Sequence, residues 1–136
     1  MAKALGIDYG AKRVGVAISD SLQIIASSLT TIETNQFFLF LIELLQKEDI
    51  DRFVVGEPKN LDGTATDSTE MTEDFVEKLS IKYPNIPIKR IDERFTSKIA
   101  KQSILDAGTK KSKRRDKRLV DKVSAAIILQ SHLDSK

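Results

Sequence analysis

The sequence predicts an α/β fold: a mixed five-stranded sheet, with three strands in an antiparallel meander, two more in parallel, and helices on both faces. Three observations predict it. Residues 4–9, 13–19 and 26–33 read as strands joined by short polar connections, which favours a meander. Two further strand-like runs, RFVVG at 52–56 and IPIKRID at 86–92, alternate with segments of helical periodicity. Strand–helix–strand units cross over right-handed, which adds the fourth and fifth strands parallel to the first.

In the second strand Val14, Val16 and Ile18 alternate with the small Gly15 and Ala17. Gly10 and Lys12-Arg13 suit a tight connection before it. The third, ASSLTTIE, is Thr-rich and carries Leu29 and Ile32. NQFFLFLIELLQKED then reads as a helix with Asn35 as N-cap and Phe37, Leu41, Leu44 and Leu45 at helical spacing. Pro58 stops the fourth strand. After the loop KNLDGTAT a second helix starts near Asp67, whose relation to Glu70 resembles a capping box, and Met71, Phe75 and Leu79 share one face. Tyr83-Pro84-Asn85 breaks it. Thr96 or Ser97 caps a third helix, with Ile99, Ala100, Ile104 and Ala107 inward and Gly108 at its end. The last helix runs from about Leu119, with Val120, Val123 and Ile127 on one stripe.

The chain has 136 residues, 40% hydrophobic and 31% charged, as expected of one globular domain spanning 1–136. The longest apolar run, FFLFLI, falls far short of the ~20 residues of a membrane span. The N-terminus lacks a signal-peptide pattern. The absence of cysteine excludes disulfides and thiolate metal sites and fits a reducing cytoplasm. Charge is lopsided. Residues 110–122 hold eight basic and two acidic side chains, a local +6, which leaves −4 for the rest of a chain whose net charge is +2. Such a run is either a solvated loop or a surface for a polyanion.

Sites in sheets of this kind gather at the carboxyl ends of the parallel strands. Asp8 stands there on strand one, Glu57 just past strand four, and Asp92-Glu93 at the end of strand five. Asp121 opens the last helix, directly after the basic run. Hard cations such as Mg²⁺ or Mn²⁺ bind through carboxylates and water, and a pair of them activates a water and stabilises the leaving oxygen of a phosphodiester. Each carboxylate also has a plainer reading. Asp8 suits a hairpin turn before Gly10, Glu93 an ion pair with Arg90 or Arg94, and Asp121 the dipole of its helix.

GIDYGAKRVGVAISD, VVGEPKNLDGT, IDERFTS and LVDKVSAAIILQ, in that order, resemble the YqgF/RuvX family. That family is a bacterial branch of the ribonuclease H-like nucleases, related to the Holliday-junction resolvase RuvC. The resemblance spans Leu5 to Gln130. It implies a ribonuclease H-like fold and a metal-dependent nuclease that matures the 5′ end of the small-subunit (16S) ribosomal RNA precursor. Resolution of branched DNA is the alternative it implies. The family's acidic positions fall on Asp8, Glu93 and Asp121, as catalytic residues and as ligands to Mg²⁺ or Mn²⁺.

One departure stands out: the family usually has an apolar residue where this chain has Glu57, so Glu57 competes with Glu93 for the site. In the sheet order the resemblance implies, strand four neighbours strand one and strand five lies one further out, about 9–10 Å away, which favours Glu57, whereas the family's own acidic position favours Glu93. Phosphate contacts are expected from Lys12, Arg94, Lys113, Arg114 and Arg115, and substrate contacts from Asn60 and Thr64 in the loop after strand four. His132, the sole histidine, is expected at an exposed helix end, which leaves proton transfer to metal-bound water. The phenylalanines at 37, 38 and 40 do not interleave with basic residues as base-stacking platforms do. Partners in this reading are structured RNA, ribosomal particles or branched DNA, and the protein is a monomer or weak homodimer. A non-catalytic RNA-binding assembly factor is a competing class. An actin-like ATP-binding hairpin at Asp8–Gly10 is another, but it requires a second lobe.

Overall fold

A computed structural model describes residues 2–58, 68–93 and 117–135, with side chains from 123 onward in the last segment. Among these residues the order is β1 (Lys3–Tyr9), β2 (Arg13–Ser19), β3 (Ala26–Glu33), α1 (Phe37–Lys47), β4 (Ile50–Glu57), α2 (Thr69–Lys82), β5 (Ile88–Asp92) and α3 (Lys117–Asp134). The five strands form one sheet in the order β3-β2-β1-β4-β5. β1, β2 and β3 pair antiparallel, while β4 is parallel to β1 and β5 to β4, as the sequence predicts. Asn60, Asp67, Arg94, the helix expected over 97–107 and the basic side chains at 113–115 lie outside the described residues, and the N-cap of α2 is Ser68, with no side-chain capping bond, rather than Asp67.

Alternation along the strands builds two cores. Leu5, Ile7, Val14, Val16, Phe53 and Val55 face α1 and α2, where Phe37, Leu41, Phe75 and Leu79 meet them. Ala4, Ala17 and Val54 face the other way, against Ala125, Ile128, Leu129 and Leu133 of α3. The second interface is close. A Cβ on Gly6 would stand 2.7 Å from the Leu129 Cβ and 2.9 Å from the Ala125 carbonyl oxygen, so only glycine lets α3 lie this near β1. That gives Gly6 a packing duty.

Three local expectations need correction. Asn35 does not cap α1: Thr34–Gln36 form a 3₁₀ turn, and Gln36 takes the N-cap position with no side-chain capping bond. The chain leaving β3 is instead tied to the β1–β2 turn, where Thr34 Oγ1 donates to the Gly10 carbonyl at 2.7 Å. The buried stripe of α3 is not centred on Val123 and Ile127, which are half-buried, but on Ser124, Ala125, Ile128, Leu129, His132 and Leu133. Ala125 and Leu129 make the closest approach there because the strand opposite offers Gly6. His132 is buried rather than exposed, because α3 lies flat on the sheet and carries the ring onto Arg52 of β4.

Candidate active site

Position along β1 decides where Asp8 points. Its neighbour Tyr9 turns to the α2 face and stacks on Phe75, with ring centroids 4.1 Å apart and planes 17° apart. Burial there raises the Tyr9 hydroxyl pKa above its ordinary value. Asp8 therefore projects with Ala4 and Gly6 onto the α3 face. The β1–β4 register of Gly6 with Val54 and Ile7 with Val55 continues to bring Asp8 level with Gly56.

Gly56 decides which glutamate joins it. On β4, Val54 packs towards α3 and Val55 towards α2, so residue 56 faces α3 and Glu57 faces α2. Glu57 stands beside Asp92, its register partner on β5. Both carboxylates share the face on which Arg90 pairs with Glu73 at 2.9 Å. Glu93, one residue beyond β5, crosses to the other face. A Cβ on Gly56 would stand 2.6 Å from the Glu93 carboxyl carbon and 2.8 Å from its Oε2, so that carboxyl occupies the space of a β4 side chain. Asp8 and Glu93 thus share the α3 face over adjacent strands, and Glu57 does not.

The profile of the RuvX family, described as Holliday junction resolvase, matches residues 2–135. The chain belongs to the RuvX family. A protein of Christiangramia forsetii named "Putative pre-16S rRNA nuclease" is 50% identical to it over 133 residues, which cover 98% of each chain. One of the same name from Phocaeicola vulgatus is 48% identical over 136 residues, 100% of this chain and 98% of its own. Among solved structures, T. thermophilus RuvC in complex with Holliday junction substrate superposes with a TM-score of 0.58 at 15% identity, covering 98% of this chain and 96% of that one. The RuvX chain shares the RuvC fold, a ribonuclease H-like sheet.

The backbone of α3 brings residue 121 to the same end of this RuvX sheet. Arg52, level with Ala4, meets His132, whereas Gly6 meets Ala125 and Leu129, so α3 runs antiparallel to β1. Two strand residues advance about 6.6 Å and one helical turn about 5.4 Å. Asp121, one turn before Ala125, is therefore level with Asp8. Its side chain lies outside the described residues. Among the described residues no three acidic or histidine side chains form a group able to hold a metal ion.

Lys12 is exposed in the β1–β2 turn, at the same end of the sheet, beside a concavity lined by Arg13, Glu33, Thr34 and Asn35. A larger concavity, of about 580 Å³, opens between Tyr9, Phe38, Asp74 and Lys78. It lies on the α1/α2 face, behind Asp8. His132 sits against Arg52, towards the opposite end of α3 from Asp121, and so is remote from the two carboxylates. The sequence reading overlooked Gly56. Its signal was a glycine inside a buried strand, which marks a close approach from another group.

Proposed function

We propose that this RuvX-family protein is a divalent-metal-dependent nuclease that cleaves the 16S ribosomal RNA precursor near its 5′ end. The observation that carries the reading is the Glu93 carboxyl seated over Gly56, on the face and at the level of Asp8. Relatives named for pre-16S rRNA, nearly half identical along the whole chain, support the substrate.

The donor set suits Mg²⁺ or Mn²⁺: oxygen ligands only, delivered by separate elements, with no cysteine in the chain. Asp8 and Glu93, with Asp121 from α3, would hold the ion. The chemistry supplied there, when the ion is held, would be activation of a water and stabilisation of the departing oxygen. The chain's own part is positional. β1 fixes Asp8 between the α3 interface and the Tyr9–Phe75 stack, Gly56 leaves room for Glu93, and α3 sets residue 121 by its contact with Gly6. Lys12 and Arg94 are assigned to phosphate contacts, Asn60 to a substrate contact, and Lys113, Arg114 and Arg115 to the nucleic-acid backbone. Work in the cytoplasm, on ribosomal particles, belongs to the same reading.

Asp8→Asn abolishes Mg²⁺- or Mn²⁺-dependent cleavage of precursor RNA and leaves the far-UV spectrum unchanged, whereas Glu57→Gln retains cleavage. Full activity in Asp8→Asn would overturn the mechanism. RNA binding that survives both chelation and Asp8→Asn, with no cleavage by the native protein, would favour a non-catalytic assembly factor. The RuvC fold supports a second reading, cleavage of branched DNA. A side-by-side assay on precursor RNA and a four-way DNA junction separates the two.

A further inference from the structure

We infer that Gly56 is a positioning residue for the metal site, and that its missing side chain lets a carboxylate from β5 do the work of one from β4. The inference rests on the nuclease reading, in which Glu93 is a metal ligand.

Three observations converge on it. β5 is not a neighbour of β1: the order is β1-β4-β5, so a carboxylate leaving β5 has to cross β4 to approach Asp8. The residue it crosses is Gly56, level with Asp8 and facing the same side. A Cβ there would come within 2.6 Å of Glu93 Cδ, 2.8 Å of Cγ and 2.8 Å of Oε2, and neighbouring heavy atoms do not approach so closely. Even alanine at 56 therefore displaces the carboxyl, not merely the stem. Glu57 does not compensate, because strand alternation turns it to the α2 face beside Asp92.

The geometry also implies a reciprocal arrangement. An aspartate at 56 would carry its carboxyl carbon one bond beyond a Cβ that is itself 2.6 Å from the Glu93 carboxyl carbon. It would thus deliver a carboxylate to nearly the same place directly from β4. Position 56 and position 93 are alternative origins for one ligand.

The test compares the native chain with Gly56→Ala, Glu93→Ala, Gly56→Ala/Glu93→Ala and Gly56→Asp/Glu93→Ala, measuring Mn²⁺ binding by calorimetry, thermal midpoint and cleavage. Gly56→Ala is expected to weaken Mn²⁺ binding by about 10–100-fold, the usual effect of losing a group that orients a ligand. Adding Gly56→Ala to Glu93→Ala should leave the thermal midpoint close to where Glu93→Ala puts it, since the atoms nearest to that Cβ, all from Glu93, are then gone. Gly56→Asp/Glu93→Ala should regain most of the Mn²⁺ affinity and some of the cleavage that Glu93→Ala loses.

Native Mn²⁺ affinity in Gly56→Ala would overturn the inference and leave the nuclease reading standing. So would a double variant with aspartate that binds no better than Glu93→Ala while melting at the same temperature. A native chain that binds no Mn²⁺ and cleaves nothing would overturn the nuclease reading, and the inference with it.

Discussion

Arg52 Nη1 lies 3.3 Å from His132 Nε2, across the interface between β4 and α3. A guanidinium has no acceptor, so across this contact Arg52 is the donor and Nε2 the acceptor. Asp51 holds the other side of the guanidinium, 3.0 Å from Arg52 Nε. The contact fastens α3 at the end remote from Asp8.

Replacing His132 by alanine leaves the half-buried guanidinium short of an acceptor at a buried position. The expected cost is about 1–3 kcal/mol, read as a lower urea midpoint. His132→Gln, which keeps an acceptor, should recover part of it. Equal midpoints for the native chain and His132→Ala would show that the pair adds nothing to docking of α3.

Asp20 governs acid behaviour in the turn between β2 and β3. Its Oδ1 accepts from the backbone N–H of Ile24 at 2.8 Å and of Ile25 at 2.9 Å. Those bonds, that from Ile25 foremost, hold its carboxyl below the ordinary value of 3.8. The folded turn favours the charged form, so its stabilisation is complete above the ordinary carboxylate range. It is lost as pH falls through the lowered folded-state value. The thermal midpoints of the native chain and Asp20→Asn should therefore converge in acid and separate towards neutrality. A gap that stays constant across the carboxylate range would contradict this.

Phosphate binding by the basic run should make RNA affinity salt-dependent, the log–log slope growing by about 0.7–0.9 per phosphate contacted. The triple change Lys113→Ala, Arg114→Ala, Arg115→Ala should flatten the slope measured by filter binding in a salt series. An unaltered slope would return the basic side chains of 110–122 to the role of a solvated charge run.

The strands were the most legible part of the chain. Alternation at Val14, Val16 and Ile18 and the Thr-rich run before Glu33 mark β2 and β3 to the residue, because β2 turns its branched side chains to the α1/α2 core and small residues to the close α3 face. α3 was less legible on its buried side. Ser124 and Ala125 are weak hydropathy signals, yet both are buried, and Ala125 lies in the close approach of α3 to Gly6. His132 reads as a polar helix-end residue until its partner Arg52 is known. The rivalry of Glu57 and Glu93 could not be resolved from spacing, since it depends on strand register and on which face Gly56 leaves bare. Each of these misses concerns a contact between residues far apart in the chain.

The dependence of the Asp8 face on α3 has a consequence for how the protein is made. Ala4, Gly6, Ala17 and Val54 are covered by the last helix in the order, while α1 and α2 cover the opposite face earlier. Translation proceeds from the N-terminus and folds what has emerged. A growing chain can thus assemble the sheet and its first core while the Asp8 side is still open and residue 121 does not yet exist. In the proposed nuclease, cutting power would arrive only with the final helix, so an unfinished chain on a ribosome would be harmless to the RNA around it.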